Sequence, residues 1–157
     1  MKNLFILIAF TTFSFSLSAQ SAKPASSTKA PVFQVSWSNF SQGKNIPALK
    51  ISADQFKKIV DSPLVVKDEK GNSYVISRFR VNYKFLSTYK DSESEMVKSI
   101  QDLRVFDFYD TPYLTDVWRS SIRDNAKKGD TIIINNVIVK LKNGKKSMAP
   151  DWRAGLQ

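Results

Sequence analysis

The run Pro112–Trp152, PYLTDVWRSSIRDNAKKGDTIIINNVIVKLKNGKKSMAPDW, decides the fold. Thr111-Pro112 reads as a helix start, with Thr111 as the capping residue and proline at the first helical position, where its missing N–H is not needed. Leu114, Val117, Trp118 and Ile122 recur at helical spacing and form one apolar stripe. Asp116 lies in the first turn, near the positive end of the dipole, and Lys127-Lys128 lies at the negative end. Gly129 then supplies a left-handed stop. From Thr131 to Leu141 the chain is β-branched on both parities, which predicts an interior strand. Asn143-Gly144 turns it, and Lys145–Ala149 is expected to pair back. Pro150 demotes the tail beyond it to an edge strand or to no strand.

The segments upstream follow the same grammar. Val32–Trp37 alternates, with Phe33, Val35 and Trp37 on one face, so it predicts a half-buried strand. Ser52 reads as an N-cap, followed by Phe56, Ile59 and Val60 at helical spacing and a stop at Ser62-Pro63. Leu64–Val66 is a short apolar strand, and Asp68–Asn72 is a turn. Ser73–Phe85 is the clearest strand. Phe79, Val81, Tyr83 and Phe85 face one way, and Arg78, Arg80, Asn82 and Lys84 face the other. Ser87–Ser99 is polar and reads as a loop with one helical turn. Leu103–Tyr109 carries bulky groups on both parities, which predicts a central or covered strand. The expected class is mainly β with two short helices (α+β), arranged as an antiparallel sheet or a small β-sandwich.

The N-terminus carries a different signal. Lys2 precedes an apolar run, Leu4–Phe15, and small residues follow it, the pattern of a secretory signal peptide cleaved after Ala19 or Gln20. The apolar run is about a dozen residues, short of the roughly 20 that span a bilayer. No later segment is apolar enough to span one. Residues 1–20 are therefore read as the signal, residues 21–31 as a Ser/Ala/Lys/Pro-rich disordered linker, and residues 32–157 as one domain. The expected location is outside the cytoplasm, in the periplasm, with full secretion as the alternative.

Composition narrows the chemistry. The chain has no cysteine and no histidine. Disulfides, thiolate metal sites and Ser-His-Asp catalysis lose their key members. The net charge is +10, about +9 once Lys2 leaves with the signal. In an exported chain such a balance favours an acidic protein face, an anionic membrane surface or an acidic glycan over nucleic acid. Asp102, Asp107 and Asp110 lie near one another, but they alternate with aromatics and read as solubilising or capping groups. Asp91, Glu93 and Glu95 have an alternating acidic spacing without the glycine and terminal glutamate of a calcium loop. Trp37 and Trp118 read as core. Trp152, in the proline-containing tail, is a candidate platform for a ligand. The basic strand face, Arg78, Arg80 and Lys84, is the other candidate binding surface. No catalytic residue, metal site or cofactor is expected.

The order of elements resembles the C-terminal domain of the GldM/PorM family of gliding motility and type IX secretion. The resemblance is carried by Leu114-Thr115, Lys128-Gly129-Asp130, Ile132–Val139, Asn143-Gly144-Lys145 and Pro150. Ile51–Phe56 and Arg78–Val81 fit upstream, so that it extends over Leu49–Pro150. It implies the fold and a habit of binding envelope proteins. Family members carry a membrane helix and several domains ahead of this module, where this chain has a signal sequence, so their role in energy transmission is not carried over. The expected function is a non-catalytic periplasmic protein-interaction module. It would bind through the basic strand face or by strand addition at an open sheet edge. The alternative is an envelope protein that binds an acidic glycan or lipid.

Overall fold

The structure, a computed structural model, describes residues 31–157. The signal reading of residues 1–20, and the linker reading apart from Pro31, lie outside the described residues. The elements are β1 (Phe33–Trp37), β2 (Phe40–Gln42), β3 (Leu49–Ile51), α1 (Ala53–Ile59), β4 (Leu64–Asp68), β5 (Ser73–Lys90), β6 (Val97–Tyr109), α2 (Asp116–Asn125), β7 (Thr131–Lys140), β8 (Lys146–Met148) and β9 (Trp152–Leu156). The expected β-rich class with two helices is what forms. The sheet is mixed rather than antiparallel throughout, because β3 pairs parallel to β9. It is also a single sheet curled nearly into a barrel, not a sandwich of two.

Strand order along the sheet is β2-β1-β4-β5-β7-β9-β3, with β6 on β5 and β8 on β7. Side chains close the gap between the ends. Gln42, almost fully buried, accepts the Arg153 N–H at 2.5 Å and donates to the carbonyls of Ile46 and Pro47. Trp152 Nε1 donates to Phe40 O at 2.9 Å. β2 and β9 thus meet without a ladder, and their buried polar groups are satisfied.

Inside the curl, Trp37, Phe56 and Trp152 form one aromatic cluster, with ring centroids 5.2–6.5 Å apart. α1 plugs it with Phe56, Ile59 and Val60. Its start is the expected one: Ser52 accepts from Gln55 N–H, and the Gln55 side chain accepts the Ser52 N–H, a full capping box.

Three further expectations are corrected. First, α2 begins at Asp116 with Thr115 as N-cap, not at Thr111-Pro112. Thr111 Oγ1 accepts the Tyr113 N–H, Pro112 O accepts the Leu64 N–H at 2.8 Å, and Leu114 is buried, so this segment is pinned to β4 before the helix starts. The helix is consequently rotated, and Val117 is 78 % exposed rather than part of the buried stripe. Second, Ser87–Ser99 is not a loop. The turn contracts to Asp91–Met96, because Asp91 accepts from the Glu93 and Ser94 N–H groups and pairs with Lys98. The flanking residues continue as strand.

Third, the tail is not an edge. β9 lies between β7 and β3. Pro150 falls in the break between β8 and β9, where no ladder N–H is required. β7 is an interior strand, as expected, and it turns a different parity inward in each half. Ile132 and Ile134 are buried, then Val137 and Val139. The switch is a bulge at Asn136, which takes φ 51°. One extra residue there turns the second half of the strand over.

Candidate interaction edge

β5 and β6 form a long hairpin in register from Arg78↔Tyr109 to Lys90↔Val97. β7 accompanies β5 only as far as Lys84↔Thr131. Beyond that point the hairpin continues without it. Its base is anchored by Asp130, which is 1 % exposed. Asp130 accepts from Tyr83 OH at 2.6 Å, Lys127 N–H at 3.0 Å and Leu86 N–H at 3.2 Å. Burial first, then this carboxylate, pushes the Tyr83 phenol well above its ordinary pKa. The Lys-Gly-Asp run after α2 therefore turns the chain and also holds β5 where it leaves the barrel.

The expectation of a central or covered strand at Leu103–Tyr109 is corrected as well. Among the described residues β6 pairs with β5 alone and is an edge. Leu103, Val105, Phe106 and Tyr109 are all exposed, as are Val97 and Ile100 nearer the tip. The apolar groups on both parities were read as two buried faces. Instead one parity meets α2, where Phe106 and Phe108 pack on Trp118, and the other lies on the outer face. Trp118 itself is only half-buried.

The polarity of the edge follows from the hydrogen bonds at its two ends. Asp91 N–H donates to Met96 O, and Asp110 N–H donates to Ser77 O, both at 2.9 Å. An antiparallel ladder alternates bonded and non-bonded pairs. Even-numbered residues of β6 therefore bond to β5, and the odd-numbered ones, from Val97 to Tyr109, turn N–H and C=O outward. Leu103 fits this pattern: its N–H is taken by the carboxylate of its neighbour Asp102 at 3.0 Å.

The basic strand face lies beside this edge but is not a free cationic surface. Asp107 sits opposite Arg80 in the register and bonds to it at 2.8 and 3.1 Å. It also accepts from Arg78 at 3.2 Å. Arg80, and then Arg78, hold the Asp107 carboxyl below its usual range. Lys84 forms no ion pair among the described residues, and it faces outward as expected.

Trp152 is the remaining predicted site residue, and the structure corrects it. It is 0 % exposed, at the centre of the aromatic cluster, and unavailable to a ligand. The carboxylates weighed for chemistry are spread out as well. Asp110 pairs with Lys140, Asp107 with the two arginines, and Asp91 with Lys98. Among the described residues no group of three or more acidic side chains is placed to hold a metal ion.

Two shallow clefts flank these features. One, of about 400 Å³, lies over the seam between Gln42–Ala48 and Pro150–Arg153. The other, of about 370 Å³, lies where β6 meets α2 and is lined by Tyr83, Arg104, Val105, Val117, Trp118 and Ser121. It is mostly apolar and opens beside the free edge. Among the described residues no helix is long and apolar enough to cross a membrane. No family model matches this chain, and no curated protein or solved structure matches it.

Proposed function

We propose that this chain is an exported, non-catalytic protein-interaction module that binds an extended protein segment along β6. One observation carries the reading. A strand of thirteen residues, Val97–Tyr109, is paired on one side only among the described residues and displays a row of exposed apolar side chains. Exposed flat edges are a hazard that proteins ordinarily blunt or cover, and strand addition is the mode of recognition such an edge supports. Main-chain hydrogen bonds supply affinity, and side chains such as Leu103 and Val105 supply register. Binding of envelope proteins is also what the likeness to the last periplasmic domain of GldM-type proteins implies. The glycan or lipid alternative is left with basic residues alone, because its aromatic platform is buried.

The test is photo-crosslinking from position 105 in cells that make the protein naturally, using the full chain and a Gln101→Pro variant. Gln101 directs its N–H outward, so proline there removes a donor from the open edge and spares the ladder with β5. A protein adduct in the native chain that is lost in the variant supports the reading. Absence of any adduct at β6, or an adduct indifferent to the proline, overturns it.

A further inference from the structure

We infer that the segment received by β6 is β6 of a second copy, antiparallel to the first about a two-fold axis through Leu103. The inference rests on the open-edge reading above and names its occupant. Leu103 is the midpoint of Val97–Tyr109, so the two strands overlap along their whole length. In this register residues whose numbers sum to 206 stand opposite one another. Leu103 meets its own copy. Asp102 meets Arg104 of the other copy, and by symmetry Arg104 meets Asp102, which gives two cross-strand ion pairs. Ile100 stands opposite Phe106, and Val97 opposite Tyr109.

The backbone permits this register. Every pair centred on Leu103 with outward-facing groups joins one odd-numbered residue to another, and these are the residues with free N–H and C=O. Asp102 and Arg104 then fall at non-hydrogen-bonded pairs, where cross-strand side chains stand closest. Asp102 gives up the N–H of Leu103, which passes to the partner's carbonyl. Moving the axis by one residue is unfavourable in either direction. Centred on Asp102, it sets two aspartates against each other. Centred on Arg104, it sets two arginines together and places Asp102 against Phe106. The sequence of the edge is thus complementary to itself in one register and repulsive in its neighbours, which is how sheet register is specified.

The environment of α2 agrees. Ile100 of the second copy would lie on the same face as Phe106, over the cleft lined by Val105, Val117 and Trp118. It would cover Val117, which is 78 % exposed. Arg104 stays positioned for this role by stacking on Phe85, 4.8 Å from the ring centroid, and by its bond to Ser121 at 2.7 Å.

Sedimentation equilibrium on the protein purified from its own cells tests the register. The native chain should be a dimer. Asp102→Arg and Arg104→Asp should each raise the dimer dissociation constant by roughly tenfold or more, because symmetry counts each substitution twice. Mixing the two variants should restore association as a 1:1 heterodimer, since both cross-strand pairs are then of opposite sign. The combined D102R/R104D chain should recover the homodimer. Arg104→Asp also loses the Phe85 and Ser121 contacts. If it fails to fold, Leu103→Cys serves instead. The native chain has no cysteine, so a short bismaleimide should link two copies at this position and not at a control Lys142→Cys. A monomeric native chain at about 100 µM, a dimer indifferent to Asp102→Arg, or no recovery on mixing two folded variants overturns the inference. If the chain is monomeric but still crosslinks at position 105 to a different protein, self-pairing fails and the interaction reading stands. With no adduct of either kind, both fail.

Discussion

Asp130→Asn tests the anchor that places the β5–β6 hairpin. The native carboxylate takes three donors: Tyr83 OH and Lys127 N–H on Oδ2, and Leu86 N–H on Oδ1. An asparagine offers one carbonyl oxygen and one NH2 group. If the NH2 replaces Oδ2 it confronts the Lys127 N–H, and if it replaces Oδ1 it confronts that of Leu86. Either way a backbone donor is left without an acceptor, which costs about 1–3 kcal/mol. The remaining bonds lose their charge assistance, worth about 1 kcal/mol more. The easier burial of a neutral amide offsets part of this. A loss of about 3 kcal/mol is expected, a large share of the roughly 5–15 kcal/mol of a typical domain. Tyr83→Phe removes only one of the three bonds and should cost about 1.5 kcal/mol, the lower end for a bond to a charged group. Urea unfolding followed by tryptophan fluorescence reads both values. Amide exchange should quicken most at Leu86 and Lys127 in Asp130→Asn. If Asp130→Asn lies within about 0.5 kcal/mol of the native chain, or matches Tyr83→Phe, the carboxylate is not the anchor described.

Trp152→Ala should cost about 4 kcal/mol, the usual range for an aromatic removed from a packed core; an unchanged urea midpoint would instead mark Trp152 as a surface residue. Gln42→Leu should cost about 2 kcal/mol by stranding the Arg153 N–H at the seam, and that amide should lose its exchange protection. Stability should fall in acid below about pH 4. Hydrogen bonds, those from Asn72 first, lower Asp68 to about 2, and Arg80 leads in lowering Asp107. The unfolded chain, with carboxyls near 3.8, then binds more protons than the folded one, so stability is present above that pH and is lost as pH falls through the folded values. Asp68→Asn should flatten this slope in urea titrations at stepped pH. In alkali the sign reverses for Tyr83: its raised pKa stabilises the fold below about pH 10, and that contribution is lost above it.

Much of the local structure was legible because it is set by short-range chemistry. Alternation placed Phe33, Val35 and Trp37 inward, and Phe79, Val81 and Tyr83 inward with Arg78 and Arg80 outward. The Ser52 cap and the Asn143-Gly144 turn were also readable, since each depends on the conformational preference of one or two residues; Gly129 is left-handed as expected, φ 95°, but it lies in the turn after α2, which already stops at Asn125. The β6 edge was not. LRVFDFY carries large side chains on both parities, and periodicity cannot distinguish a strand covered on both faces from one that leans on a helix with its outer face exposed. Trp152 illustrates the opposite error. A tryptophan after proline, near the chain end, gives no local sign that the strand it begins fills the last gap in the barrel.

The sequence by itself determined the class, the Asp68–Asn72 and Asn143-Gly144 turns and the inward faces of β1 and of β5 up to Tyr83, because backbone preference and the two-residue period act within a few positions. Tertiary structure alone decided which strand is left as an edge, that Pro112 is pinned to β4 so that α2 starts late, and that Gln42 and Trp152 close the seam. Each of these depends on a partner far along the chain: Asp130 on Tyr83 and Leu86, Asp107 on Arg78 and Arg80, Gln42 on Arg153. An outward N–H becomes a binding group only when the fold has assigned every other donor its acceptor, and that assignment belongs to the whole sheet rather than to any segment of it.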